Sequence, residues 1–287
     1  EQPAAVVTPN FHLQTVHPMA SPKAEFDGGT NIEGVVKGTA GLTNGEMQEF
    51  AAMEPVMEAT RVNLPDLSDA EALRAYGKVA RNCGVTTVAD LLSDLHEDEV
   101  TMVQAVTGET SFPARYVPVM NAMEGDPEAE AKRAIALRAR STPKLDLGRA
   151  KLFTDGAIQG YTAKLKAPGY YTGQDNSIWN MDLGHYEACV RALHRAGVKT
   201  HIHTNGDAAS ELAIEVYERV MLDSPNPDLR HTLEHVQLAG VDQFKRMKAL
   251  GLTVNVFTNH LHYFGDLHLS LTVGPDRARR MKAARDA

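Results

Sequence analysis

From about residue 66 onward, short β-branched segments alternate with amphipathic stretches of helical length, and no other feature restricts the fold as strongly. The capping box Ser68-Asp-Ala-Glu71 opens a helix that runs through Arg81 and ends near Gly84. Strands are predicted over residues 85–89, 115–120, 149–154, 198–203, 230–235 and 252–257, the first of them buried, and helices over 97–106, 127–140, 184–196, 208–221 and 241–250. Strands separated by whole helices run parallel, because only a crossover of that length returns the chain to the same end of a sheet. Six such strands are countable and no internal repeat explains them.

Two architectures satisfy parallel strands with helical crossovers. An open doubly wound sheet needs a Gly-rich phosphate loop after its first strand, and none is present; Gly28-Gly29 and Gly34 have no Lys-Ser/Thr pair after them and read as turns. A barrel collects its chemistry at the C-terminal ends of successive strands. Polar residues fall there one cluster at a time: Asp155, residues 203–207, His235, and residues 259–262. The expected fold is therefore α/β, a (β/α)8 TIM-like barrel over residues 65–287, incomplete, with about six recognisable β/α units. Residues 1–64 are expected to form an irregular N-terminal segment of loops and small strands.

Composition narrows the function classes. Against 29 Lys and Arg stand 37 Asp and Glu, a net charge of −8, which argues against a nucleic-acid surface. The basic stretch 277–285 is short and interrupted and reads as a solvated helix face. No apolar run is long enough to span a bilayer and the first residues do not resemble a signal peptide, so no membrane partner is expected. Cys83 and Cys189 are too few for a disulfide framework or a Cys-rich metal site and are expected to pack in the core. A cytoplasmic location follows as the default for so few cysteines, and a homo-oligomer is compatible with the sequence. Of twelve histidines, nine lie after Asp182, more than packing requires.

His201 and His203 are two apart on one strand and share a face, which in a barrel can be the lumen. A strand over 230–235 sets His231, Leu233 and His235 on one face, with His235 at the mouth. Imidazoles at strand ends suit a divalent metal, and equally a hydrogen-bonded core. His231-Thr-Leu-Glu-His235 also spells H-x-x-E-H, which on a helix would be a zinc peptidase motif; Pro225, Pro227, the β-branched Thr232 and Val236, and Gly240 leave too short a segment for that helix. Lys151 lies between apolar residues, where an amine is ion-paired, snorkels, or is neutralised, for instance by carbamylation. Asp155 and Asp207 are mouth-side carboxylates that read first as a turn residue and a helix N-cap. Residues 155–180 form a Gly- and Tyr-rich excursion too long for a connector. Its Gln159, Tyr161 and Trp179, with His260 beyond the last strand, are candidates to wall a small-molecule substrate; the aromatics can also form a satellite cluster.

Taken in order, Lys151-Leu-Phe-Thr-Asp155-Gly156, Ile158-Gln-Gly160, Pro168-Gly-Tyr-Tyr171, His201-Ile-His203-Thr-Asn-Gly-Asp207, Arg230-His-Thr-Leu-Glu-His235 and Asn259-His260-Leu-His262-Tyr-Phe-Gly-Asp266 resemble the amidohydrolase superfamily, in its amidohydrolase 3 branch. The resemblance implies a composite barrel that hydrolyses a C–N, amide-like bond of a small molecule with metal-activated water. It implies one or two divalent ions, zinc first, with Mn, Fe or Ni as alternatives. Carried over, Lys151 matches the carbamylated lysine of the fourth strand, and His203 and His235 match the single ligands of the fifth and sixth. His201 and His231 would then support those ligands from behind. Two family features have no match: the H-x-H of the first strand, since His12 and His17 are five apart, and the catalytic aspartate of the eighth, for which Asp155 and Asp207 are the substitutes at hand. The sequence is accordingly expected to be a fragment lacking the first and last barrel strands. The alternative is a catalytically silent truncated barrel that binds a ligand or partner without a complete metal centre.

Overall fold

The structure is a computed structural model and describes residues 5–7, 13–16, 32–37, 43–60, 69–281 and 283. His12, His17, the Gly28-Gly29 pair and Ser68 lie outside the described residues. The N-terminal part contains four antiparallel strands, β1 (Ala5–Val7), β2 (Leu13–Val16), β3 (Val35–Lys37) and β4 (Thr43–Gln48), in the order β1-β2-β4-β3. A helix follows directly, α1 (Glu49–Thr60), where only loops and small strands were expected. Ala, Met and Glu favour it, and burial of Ala52, Met53 and Val56 offsets the interior Pro55, which costs about 3 kcal/mol in an isolated helix.

The strand–helix alternation is present in full. It consists of α2 (Ala70–Asn82), β5 (Thr87–Ser93), α3 (Glu97–Gly108), β6 (Arg115–Asn121), α4 (Pro127–Arg138), β7 (Ala150–Phe153), α5 (Leu183–Arg195), β8 (Thr200–Thr204), α6 (Asp207–Asp223), β9 (Thr232–His235), α7 (Val241–Ala249) and β10 (Thr253–Asn255). The strands form one parallel sheet in chain order, β5 to β10, curled as a half-barrel, which is an incomplete TIM-like barrel. Helix α8 (Asn259–Leu267) and, after a π-helical turn, α9 (Gly274–Ala278) close the described chain.

Local chemistry explains the boundaries. The N-cap of α2 is Asp69, whose carboxylate accepts from the Ala72 amide at 2.6 Å. Gly84 ends that helix in the left-handed region at φ +70°. β5 is a sheet edge, so Thr87 and Ala89 are exposed, contrary to a buried strand. Cys83 is exposed and only Cys189 packs in the core. That core lies between sheet and helices: Leu152, Ile202 and Leu233 point outward from β7, β8 and β9 to meet Val190, Leu193 and Ile214, all fully buried. Residues of opposite parity on the same strands consequently line the concave side. Among the described residues no helix is long and apolar enough to cross a membrane.

Candidate metal centre

Register decides which side chains share the concave face, since neighbours in a parallel pair point the same way. Lys151 pairs with His201, and His201 with Thr232; Phe153 pairs with His203, and His203 with Glu234. Two rows result, an inner one of Lys151, His201 and Thr232 and an outer one of Phe153, His203 and Glu234. Lys151 is 2% exposed, and burial pulls its amine down to about 8, with the Glu234 charge opposing in part. Its Nζ lies 4.5 Å from the Phe153 ring centroid, and that ring stacks on His203 at 4.6 Å.

His235 reaches this side by a different route. By alternation it should follow Leu233 towards the helices, but His235 has φ +70° and Val236 φ +44°. This left-handed turn at the strand end lays the His235 ring edge-on to His203, 4.8 Å between centroids. His260, in the first turn of α8, stands 5.4 Å from His235. The structure thus brings together His203, His235 and His260 at the mouth, with Lys151 one row below. Among the described residues no three His, Cys, Asp or Glu side chains converge as a ready cation cage. The donors present nonetheless suit a divalent ion in kind: two imidazoles on neighbouring strand ends and a buried amine that is costly to keep as a cation.

Asp155 follows β7, is fully buried, and accepts from three backbone amides: Asn205 at 2.9 Å, Gly206 at 2.8 Å and Lys164 at 3.0 Å. Burial raises its carboxyl to about 7, and the three amides oppose that rise. Its nearest approach to His203 is 4.0 Å from Oδ1 to Nε2. The His203 Nε2–H donates to the Gly156 carbonyl at 3.0 Å, and the Asn205 amide group lies equally close. Asp155 is therefore the knot between the β7 and β8 loops, where sequence placed a turn residue. Asp207 stands at the first position of α6, after the N-cap Gly206; it accepts from the Lys166 amide at 2.8 Å and pairs with Arg277 of α9 at 2.9 Å. The structure makes Asp207 a tie between surface segments.

The proposed substrate wall divides. Trp179 bridges backbone with Asp155 beside the mouth, and its ring carries Lys164 Nζ at 5.3 Å. Gln159 sits in a 3-10 turn (Ile158–Gly160) with its Oε1 buried. Tyr161 instead packs on Tyr170 at 5.1 Å, within an apolar cluster of Ile158, Ala163, Val273 and Met281. That is the satellite-cluster reading of the aromatics.

His231 is not behind the ligands. It precedes β9 on the helix side, fully buried; Nδ1 accepts from the Thr200 amide at 3.1 Å, and Nε2 meets His194 Nδ1 at 2.9 Å. His194 Nε2 in turn donates to the Ser224 carbonyl at 2.6 Å. The bond from the Thr200 amide requires a neutral His231 ring, and burial holds that imidazole down to about 3. Its folded value lies below the unfolded one of about 6.5, so the unfolded chain binds the extra proton as pH falls. Stability is expected to fall below pH 6.5 by up to about 1.4 kcal/mol per unit, and a His231→Asn variant should show a flatter denaturation profile between pH 6.5 and 4. Because His231 to His235 contains a strand, the H-x-x-E-H peptidase helix is absent.

Three residues of the site escaped the sequence reading. Glu234 is fully buried in the outer row, bonded to His201 Nδ1 and Asn255 Nδ2 at 2.7 Å each. Its signal was available, because a carboxylate inside a strand covered on both faces must be paired. Glu49, with φ +63° at the β4–α1 corner, accepts from Thr162 Oγ1 at 2.5 Å and Asn180 Nδ2 at 3.0 Å. Phe50 beside it meets Phe153 edge-on at 5.0 Å, so the N-terminal segment caps the end of β7. Nothing in sequence spacing announces a contact between Glu49 and Asn180, 131 residues apart.

The sequence matches the profile of the Amidohydrolase family over residues 10–287. It is 26% identical over 117 residues to "Protein LONG AFTER FAR-RED 3" of Arabidopsis thaliana, covering 41% of this chain and 20% of that protein. Over 121 residues it is 26% identical to "Putative amidohydrolase YtcJ" of Bacillus subtilis, covering 42% and 22%. Its fold is similar to that of an uncharacterized metal-dependent hydrolase from Pyrococcus horikoshii, with a TM-score of 0.67, 18% identity, and coverage of 99% of this chain and 54% of the other. A second such hydrolase, from Pyrococcus furiosus, gives 0.66, 16%, 97% and 55%. The chain thus spans about half the length of these solved structures, and the matched stretch about a fifth of the curated relatives.

Proposed function

The chain belongs to the amidohydrolase family, and on that premise we propose that it is part of a metal-dependent hydrolase acting on the C–N bond of a small amide-like molecule. The observation that carries this reading is the row of side chains on the concave face: a lysine 2% exposed, beneath His203 and His235 whose rings touch at 4.8 Å. Lys151 as its carbamate, His203 and His235 would hold a divalent ion, zinc first. When bound, such an ion supplies Lewis acidity and lowers the pKa of water beside it.

The rest is done by the chain itself. Burial favours the neutral amine of Lys151, the form that reacts with carbon dioxide. Phe153 and Phe50 exclude water from one side of His203, while Gly156 and Asn205 fix the plane of its ring. Asp155 holds the two loops that carry these groups in register. His260 and Trp179 would orient the substrate, and His260, packed on Phe257 at 4.9 Å, would donate to a developing oxyanion. The test is a screen of chromogenic anilides and small amides with the purified chain. Hydrolysis is expected to be lost with a chelator and restored by Zn²⁺ or Mn²⁺; turnover that ignores the chelator would overturn the metal-dependent reading.

A second reading is a half-barrel that binds a small molecule without catalysis. It is favoured by the lack, among the described residues, of a converged set of three His, Cys, Asp or Glu donors. Metal retention separates the two.

A further inference from the structure

His203 and His235 are the histidines expected to hold an ion, yet a third imidazole on the concave face, His201, is backed by a buried carboxylate. It is 9% exposed, on β8, two residues before His203 and therefore on the same face. Glu234 accepts from its Nδ1 at 2.7 Å. The other carboxylate oxygen accepts from Asn255 Nδ2, also at 2.7 Å, so both oxygens act as acceptors. A carboxylate can only accept, which places the ring proton on Nδ1 and leaves a lone pair on Nε2. Among the described residues that Nε2 is buried with no hydrogen-bond partner. In strand register the residue beside His201 is Lys151.

A buried lone pair without a donor is costly unless something occupies it. The arrangement on the ring's other side is chemically diagnostic, because a carboxylate behind an imidazole fixes its tautomer and raises its basicity, as it does for histidines that ligate metals. We propose that His201, held by the Glu234–Asn255 pair, is itself a divalent-metal ligand through Nε2, so that His201 and His203 act as an H-x-H pair on β8 beside Lys151. The inference rests on the metal-dependent reading above and extends it. It assigns the inner row a direct role and makes Glu234 a positioning residue acting through His201. Two imidazoles at i and i+2 on one strand face would then stand with the Lys151 carbamate alongside, and His201 would add a fourth donor to Lys151, His203 and His235.

The experiment is equilibrium dialysis of the metal-stripped chain against Co²⁺, with the visible spectrum of the bound ion recorded. It compares the wild type with His201→Ala, His201→Gln, Glu234→Gln, His203→Ala and the exposed His262→Ala. Circular dichroism and thermal melting in chelator establish that each variant is folded, and His201→Gln supplies the folded comparison if the alanine variant collapses. The expected result is at least tenfold weaker binding and an altered spectrum for both His201 variants. Glu234→Gln should weaken binding by about 10–100-fold, and His262→Ala should change nothing. Wild-type affinity and spectrum in folded His201→Gln, with binding lost in His203→Ala, would overturn the inference and leave the metal-dependent reading standing. Absence of binding by the wild type would overturn both.

Discussion

Asp155→Ala is expected to destabilise the chain by about 3–6 kcal/mol, enough to unfold a domain of ordinary stability. The size follows from the number of groups stranded. Asp155 Oδ1 accepts from the Asn205 amide and Oδ2 from those of Gly206 and Lys164, the first two closed to water and the third part-buried. Removing the carboxylate leaves two buried N–H groups and one part-buried N–H without acceptors, at about 1–3 kcal/mol for each, partly relieved if water enters the cavity. Asp155→Asn is isosteric but sets an NH2 against an amide donor, so it should recover only part of the loss. Chemical denaturation of the two variants beside the wild type checks this. A change below about 1 kcal/mol for Asp155→Ala would mean that the β7 and β8 loops are held by other contacts.

Lys151→Met is expected to act in the opposite direction on stability and to abolish metal retention. The metal-free lysine is a burden, because burial pulls its pKa from 10.5 to about 8, so at pH 7 the folded chain must carry a cation its surroundings disfavour. With the folded value below the unfolded one, the unfolded chain binds more protons between pH 8 and 10.5, and stability rises with pH across that window. At about 1.4 kcal/mol per pH unit the burden at pH 7 is about 3 kcal/mol. A methionine fills similar space with no charge, and the gain expected is about 1–3 kcal/mol. The pairing of the two effects is the diagnostic: a lysine kept for packing or for a salt bridge would not raise stability when replaced. Denaturation of metal-free samples at pH 7 and pH 10 distinguishes these cases, since the difference between variant and wild type should shrink at the higher pH.

The strand–helix units were legible because period 2 and period 3.6 differ plainly in segments such as residues 198–203 and 208–221, and because helix ends carry signals such as Glu71, Gly84 and Pro127; the N-caps Asp69, Asp126 and Asp182 emerge from the structure. His201 and His203 were assigned to one face by alternation alone, whereas Lys151 joined them only through the family resemblance; in the sheet it stands in register with His201. His231 and His235 show where alternation fails. They share a parity in sequence, yet one faces the helices and the other meets His203, because the left-handed backbone of His235 and Val236 at the strand end reverses the direction of a side chain. Glu234 was passed over for a related reason, since its letter belonged to a helical motif that the strand does not form. The Glu49 corner joins a segment of no clear periodicity to a loop more than a hundred residues away, a contact that only tertiary packing creates.

The central claim is that the concave face of this half-barrel holds a divalent ion between Lys151, His203 and His235. Elemental metal analysis of the chain as purified, beside folded His203→Ala and His235→Ala variants, tests it most directly. Near-stoichiometric metal in the wild type that both substitutions remove is the predicted result. A wild type without metal, or variants that retain it in full, would contradict the account.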